Sequence, residues 1–123
     1  MENRKRVLVV DDEPGILRFV RVSLGMAGYD VITTTSGEEA LKLVETDKPD
    51  IMLLDILMVP MSGLDILDQL RTFSKLPVIV FTARSFIAEK AMELGANGVV
   101  AKPFKPEELV EKIKETLDNH PAR

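Results

Sequence analysis

The sequence predicts an α/β domain: a five-stranded parallel sheet, doubly wound, with helices on both faces. Three observations lead there. Five short apolar or β-rich runs, at 7–10, 29–34, 51–54, 78–82 and 98–101, alternate strictly with five stretches of helical periodicity. Val7-Leu8-Val9-Val10, Ile51-Met52-Leu53-Leu54 and Val78-Ile79-Val80-Phe81 are apolar throughout, as strands buried on both faces must be. The runs other than 29–34 then close on polar residues: Asp11-Asp12, Asp55, Thr82 and Lys102.

Each element has a local reason. Val7–Val10 ends at Asp11-Asp12-Glu13-Pro14, and Pro14 suits a first helical position. Ile16, Leu17, Val20 and Leu24 form the stripe of the first helix, which stops between Gly25 and Gly28. After the β-rich 29–34 segment, Ser36 with Glu39 is a capping-box signature, and Ala40, Leu43 and Val44 line the second helix. Lys48-Pro49-Asp50 feeds the central strand, which runs straight into Asp55 and a Pro/Gly-punctuated loop to Gly63. Ser62 with Asp65 is a weaker acidic cap for a third helix with Leu64, Leu67 and Leu70 as its stripe. Pro77 opens the fourth strand. A helix through Ala88, Ala91 and Leu94 ends at Gly95, a left-handed C′ residue. The last helix starts near Pro106, carries Glu107 and Glu108 in its first turn, and buries Leu109, Ile113 and Leu117.

Composition narrows the functional classes. At 123 residues the chain is one domain, 1–123, with a core at about 5–117 and a tail or the start of a linker at 118–123. A net charge of −4, with acids and bases interspersed, gives no field for binding nucleic acid directly. The absence of cysteine excludes disulfides and thiolate metal sites. Arg4, Lys5 and Arg6 precede an apolar run, but that run is too short for a signal core and ends in acids. No stretch approaches the length of a membrane span, so a cytoplasmic location with no membrane partner is the expectation. Met26, Met52, Met58 and Met92 read as core filler, and His120, the only histidine, lies in the tail with no relay role.

In a parallel sheet all strands point their carboxyl ends to one side, where open α/β sheets bind ligands. Singly, each residue there has a plain explanation: Asp11 or Asp12 as a helix cap, Thr82 as a β-branched strand end, Lys102 as a solvated lysine. As a set they bring three carboxylates, a hydroxyl and an ammonium together. Three carboxylates that close repel, so one or more must hold its proton or a cation must join them. A hard divalent ion with oxygen ligands, Mg²⁺ above all, relieves that repulsion and keeps waters for a phosphate-bearing substrate. One Asp can then act as a nucleophile toward phosphorus, with Lys102 and Thr82 meeting the phosphoryl oxygens.

Asp11-Asp12, Asp55, Thr82-Ala83 and Lys102-Pro103-Phe104, each after its strand and in that order, resemble the receiver domain of bacterial two-component response regulators. The resemblance runs from about Lys5 to Leu117. It implies the flavodoxin-like strand order 2-1-3-4-5. It also implies that Asp55 is the phosphoacceptor for a sensor histidine kinase or phosphotransfer protein. Asp12, Asp55 and the Leu57 backbone carbonyl would then ligate Mg²⁺, with Asp11 acting through water, and Thr82 and Lys102 would bind the phosphoryl group. The domain would be a switch rather than an enzyme, catalysing only its own phosphoryl transfer and slow dephosphorylation. Its output face would be the last two helices with the fifth strand between them, serving a homodimer or an output domain in a longer chain.

The chain departs from that pattern in four places. Val59 stands where the loop after Asp55 usually has proline, and Pro60 follows it. Val99 replaces the aromatic residue common three places before the lysine, and Phe104, in the Pro-Phe turn, reads as a poor substitute. The segment from Thr82 to Lys102 is about two residues short, which points to a shortened or displaced fourth helix. Asn97 and Gly98 stand where winged-helix regulators carry two acids that pair with basic residues such as Lys112 and Lys114. Leu57 and Arg84, two places past Asp55 and Thr82, flank the approach of water, and Leu57 cannot orient one. The competing readings are a small aspartyl phosphatase, which lacks an acid at Leu57, and a flavodoxin-like cofactor binder, which lacks a Ser/Thr/Gly-rich loop after the first strand. The third is a degenerate receiver acting as a phosphorylation-independent interaction module.

Overall fold

The structure, a computed structural model, describes residues 4–119. Ten elements alternate along the chain: β1 (Arg6–Val10), α1 (Pro14–Met26), β2 (Asp30–Thr34), α2 (Gly37–Thr46), β3 (Ile51–Asp55), α3 (Gly63–Leu70), β4 (Val78–Thr82), α4 (Ser85–Glu93), β5 (Gly98–Ala101) and α5 (Pro106–Asn119). All strands are parallel, in the order β2-β1-β3-β4-β5. This is the expected doubly wound α/β sheet. α5 runs two residues past the expected end of the core, taking in Asp118 and Asn119; His120 and the rest of the tail lie outside the described residues.

Because side chains alternate across a strand, the sheet makes two cores. On one face Leu8, Val10, Met52, Leu54, Val78 and Val80 meet α2, α3 and α4 through Ala40, Ile66, Leu67, Leu70 and Ala91. On the other, Val7, Val9, Ile51, Leu53, Ile79 and Phe81 meet α1 and α5 through Leu17, Val20, Leu24, Leu109 and Ile113. β3 and β4 are buried at every position, as their unbroken apolar runs require.

The helix stripes shift slightly from expectation. Ile66 is fully buried where Leu64 is only partly so, and Thr116 is buried in α5 where Leu117 is only partly so. Thr116 can sit there because its hydroxyl donates to the Lys112 carbonyl at 2.7 Å. Met52 and Met58 fill the core, but Met26 and Met92 are exposed and do not. The two caps also exchange roles. Ser62 and Asp65 form the complete reciprocal box, at 3.2 and 3.4 Å. Ser36 accepts from the Glu39 N–H at 3.1 Å, but the Glu39 carboxylate turns to the Thr34 hydroxyl instead of reaching back.

α4 begins three residues after Thr82, across a two-residue connection, and is nine residues long. Among its described side chains it buries only Ala91 fully and leaves Phe86 and Met92 exposed. Gly95, at φ +104°, ends the turn that follows, in a conformation side chains seldom adopt.

Candidate functional site

Strand register builds the site. Val10 of β1 lies opposite Leu54 of β3, so the next residues, Asp11 and Asp55, leave the sheet side by side. Asp55 is opposite Phe81 of β4, which puts Thr82 one step further out, opposite Ala101, the last residue of β5 before Lys102. Hydrogen bonds extend the ladder past the strand ends: Asp11 N–H to the Thr34 carbonyl (3.2 Å), Ile56 N–H to Phe81 (3.4 Å) and Lys102 N–H to Thr82 (3.0 Å). The loop after β3 folds back tightly. Gly63 N–H donates to the Ile56 carbonyl at 2.8 Å, and a Cβ on Gly63 would collide with the Asp55 carbonyl oxygen and stand 2.6 Å from Ile56 Cα.

The residues the sequence nominates are brought together. Asp11, Asp12 and Asp55 each present a carboxylate oxygen, all within 4.8 Å of one another. Lys102 Nζ lies 3.5 Å from Asp55 Oδ1 and 3.6 Å from Asp11 Oδ2, so it bridges both carboxylates. The Leu57 N–H donates to Asp55 Oδ1 at 3.3 Å, tying that backbone to the carboxylate while its side chain points out, half exposed. Thr82 is buried and its Oγ1 accepts from the Arg84 N–H at 3.1 Å, which leaves the hydroxyl proton for an acceptor.

Asp11 is not a helix cap. Its Oδ1 accepts the Glu13 N–H at 2.8 Å, but α1 has no side-chain cap, and Asp11 Oδ2 is buried without a hydrogen-bond partner. Burial pushes the Asp11 carboxyl from 3.8 up to about 6; the Glu13 N–H and Lys102 oppose that rise and the Asp55 charge adds to it. Burial also raises Asp55, against the pull of Lys102 and the Leu57 N–H, with Asp12 adding to the rise. A buried carboxylate oxygen with no hydrogen bond, touched only by an ammonium at 3.6 Å and beside two further acids, is the donor set of a hard cation, so these residues fit a divalent ion bound through oxygen.

Sequence reasoning missed what lies under the lysine. Lys102 Nζ sits 5.0 Å from the centroid of the fully buried Phe81 ring, and Phe104 packs edge-to-face on Phe81 at 5.8 Å and 84°. The run Val78–Thr82 reads as a strand, but only the fold, which pairs Phe81 with Val100 two residues before Lys102, shows Phe81 meeting Lys102.

The expected pairing partners on the α4–β5–α5 side are replaced by internal contacts. Asn97 Oδ1 accepts from the Val78 N–H at 2.8 Å and from Arg71 at 3.2 Å. A Cβ on Gly98 would stand 2.7 Å from Lys112 Cε, and Lys112 pairs with Glu115 of its own helix at 3.6 Å.

Fold and site define a doubly wound α/β domain whose carboxyl edge gathers acids around a lysine-bridged aspartate. The chain belongs to the response regulator receiver domains, whose family model matches residues 7–114. Among curated proteins it is 40% identical over 116 residues to the alkaline phosphatase synthesis transcriptional regulatory protein PhoP of Bacillus subtilis, covering 92% of this chain and 48% of that protein. It is 40% identical over 118 residues to the transcriptional regulatory protein KdpE of Mycobacterium tuberculosis, covering 94% and 52%. It spans about half the length of these relatives. Among solved structures it resembles the chemotaxis protein CheY4 of Vibrio cholerae (TM-score 0.86, 30% identity, 94% of this chain and 100% of that one). It also resembles a CheY-like receiver domain of Methanospirillum hungatei (TM-score 0.88, 30% identity, 95% and 96%). Among the described residues no helix is long and apolar enough to cross a membrane.

Proposed function

We propose that this receiver domain is a phosphorylation-activated switch whose phosphoacceptor is Asp55. The observation that carries the reading is the position of that carboxylate: buried, flanked by Asp11 and Asp12, with Lys102 Nζ 3.5 Å from its Oδ1. The donor is a sensor histidine kinase or a phosphotransfer protein. An Oδ of Asp55 bonds to phosphorus as the P–N bond to the donor imidazole breaks; the electron pair stays on the imidazole nitrogen, which takes a proton from solvent. Asp12, Asp55 and the Leu57 carbonyl would hold Mg²⁺, with Asp11 acting through water. The ion supplies charge neutralisation for the phosphoryl oxygens and for the three crowded acids.

The residues then divide the work. Asp55 is the nucleophile, and its Leu57 N–H contact fixes which oxygen faces out. Lys102 turns from its carboxylate partners to the incoming phosphoryl, and Thr82 donates its hydroxyl to a phosphoryl oxygen. Phosphorylation adds about −1.5 to −2 charges and three strong acceptors, which draw both residues inward. Thr82 is joined to α4 by two residues, so its movement passes directly to α4, the helix with the least buried side. Coupling of this kind is worth about 1–3 kcal/mol, enough to move a poised equilibrium.

The domain acts as no enzyme toward other substrates. It transfers a phosphoryl group to itself and loses it slowly, because an outward-pointing Leu57 cannot orient a water. Relatives about twice as long support an output domain in a longer chain; a homodimer is the other partner in this reading, and the location is cytoplasmic. With Asn97 bonded within its own fold, the α4–β5–α5 face does not offer the usual acid–base dimer pairs.

The test is treatment with a small phosphodonor and Mg²⁺ followed by intact mass measurement. One added phosphoryl in the wild type, absent in Asp55→Asn, is the expected result. No uptake by the wild type leaves a phosphorylation-independent interaction module, and uptake by Asp55→Asn moves the acceptor elsewhere. The acyl phosphate of the isolated domain should persist for minutes or longer; decay within seconds contradicts the role given to Leu57.

A further inference from the structure

Lys102 meets three groups, and only two are carboxylates. Its ammonium lies 3.5 Å from Asp55, 3.6 Å from Asp11 and 5.0 Å from the centroid of Phe81. Both acids are reached at distances longer than a tight charge-assisted bond of about 2.7–2.9 Å, so neither seizes the ammonium. Phe81 is fully buried on β4 and offers the negative face of its ring to the ammonium. Phe104, two residues after Lys102, lands on the same ring edge-to-face, and Phe19 of α1 packs on Phe104 at 6.4 Å. The segment Lys102–Phe104 therefore grips Phe81 twice, once by its ammonium and once by its ring. Phe81 belongs to the α1/α5 core and Phe104 packs against it partly buried, whereas Val99, where an aromatic was expected, packs in the core on the opposite face.

We propose that Phe81, braced by Phe104, is a positioning residue for Lys102. The ring holds the ammonium over the acidic edge in the unphosphorylated domain, so that the phosphoryl-binding group is in place before a phosphoryl arrives. A lysine carries four rotatable bonds, and two loose carboxylate contacts leave much of that freedom; a face contact on a ring that cannot move removes it. The inference rests on the reading of Lys102 as a phosphoryl-binding residue. Its consequence in the unphosphorylated state, however, is independent of phosphorylation.

Two measurements test it. The first is the NMR order parameter of the Lys102 Cε methylene in the domain without phosphodonor or metal. It should fall in Phe81→Leu, which keeps an apolar filler, with no change at exposed Lys90. The second is the rate of phosphorylation by acetyl phosphate in a double-mutant cycle with Lys102→Ala. Phe81→Leu should slow the wild type by about threefold to tenfold and should not slow Lys102→Ala further. A purely structural role would slow both backgrounds alike, and that outcome, or an unchanged order parameter, overturns the proposal. Should Phe81→Leu fail to fold, Phe104→Leu takes its place in both measurements, since Phe104 borders an open cleft of about 310 Å³ rather than the sealed core. If the order parameter falls but the wild type takes no phosphoryl, the positioning stands and the phosphoacceptor reading fails.

Discussion

The two edges of the sheet treat polar groups in opposite ways. At the amino edge they are matched. Asp50 Oδ2 accepts the Arg6 N–H at 2.7 Å, and the Arg6 guanidinium donates to the Asp47 carbonyl at 2.6 Å. Asn97 exchanges bonds with Val78, its N–H donating to the Val78 carbonyl at 2.7 Å and its Oδ1 accepting at 2.8 Å. Arg71 ties Gly95, Ser74 and Asn97 together. At the carboxyl edge acids crowd one another, one buried oxygen has no hydrogen bond, and a lysine stands at long range between two of them. The amino edge uses its polar groups to hold the fold. The carboxyl edge leaves them only partly matched, which is how a site stays ready for a ligand at some expense in stability.

The largest expected effect falls where the carboxyl edge is pinned. In Gly63→Ala the new methyl meets the Asp55 carbonyl and Ile56 Cα, both backbone atoms that cannot step aside. Loss of more than about 4 kcal/mol, measured by urea denaturation, is expected. A tolerated alanine would mean that the loop is free to shift, and the acids would then not be held in place by it.

The next effect is a pH dependence that only the carboxyl edge should show. The Asp11 carboxyl is raised from 3.8 to about 6 by its burial, so between those values the folded domain keeps a proton that the unfolded chain has lost. Stability is therefore full below pH 3.8 as far as this group is concerned, falls as pH rises through about 6, and stays low above that. The fall is on the order of 3 kcal/mol from Asp11 alone, and Asp55, raised in the same direction, adds to it. Denaturation midpoints in metal-free buffer should drop across this window in the wild type and drop less in Asp11→Asn. A flat profile would remove the electrostatic half of the contrast.

Much of this contrast is legible in the sequence because topology carries it. Five unbroken or β-rich runs force a parallel sheet, and a parallel sheet delivers Asp11, Asp55, Thr82 and Lys102 to one edge whatever their side-chain details. What is not legible depends on competition between nearby groups. Ser36 and Glu39 have the spacing of a capping box, yet the Thr34 hydroxyl takes the Glu39 carboxylate and only half the box forms. Phe81 is indistinguishable from its strand neighbours until the fold brings the Lys102 ammonium over its ring. Asn97 looks like a lost dimer acid, and only the fold shows its amide completing a strand end.

At the amino edge, Asn97→Ala removes the acceptor of the Val78 N–H and one partner of Arg71. It should cost about 2 kcal/mol, because the buried N–H is left unpaired. The loss should be the same at pH 5 and pH 8, since no titrating group is involved, and phosphorylation of Asp55 should be unchanged. A pH-dependent loss would show that the two edges are coupled and that their separation is too simple.

The smallest effect is also the most selective. If the crowded carboxylates at the carboxyl edge await a cation, then adding Mg²⁺ must stabilise the folded domain by mass action, since the unfolded chain has no such cluster. At ten times the dissociation constant the gain is about 1.4 kcal/mol. It should vanish in Asp12→Ala, which removes one of the three converging carboxylates, and survive intact in Asn97→Ala, whose defect lies at the other edge. Because a cation favours the charged acids, it should also flatten the pH profile described above, and that couples the two measurements. Equal stabilisation of all three proteins would mean that Mg²⁺ acts on the overall charge of −4 rather than on the cluster. The carboxyl edge would then be merely strained, and not a site poised for metal.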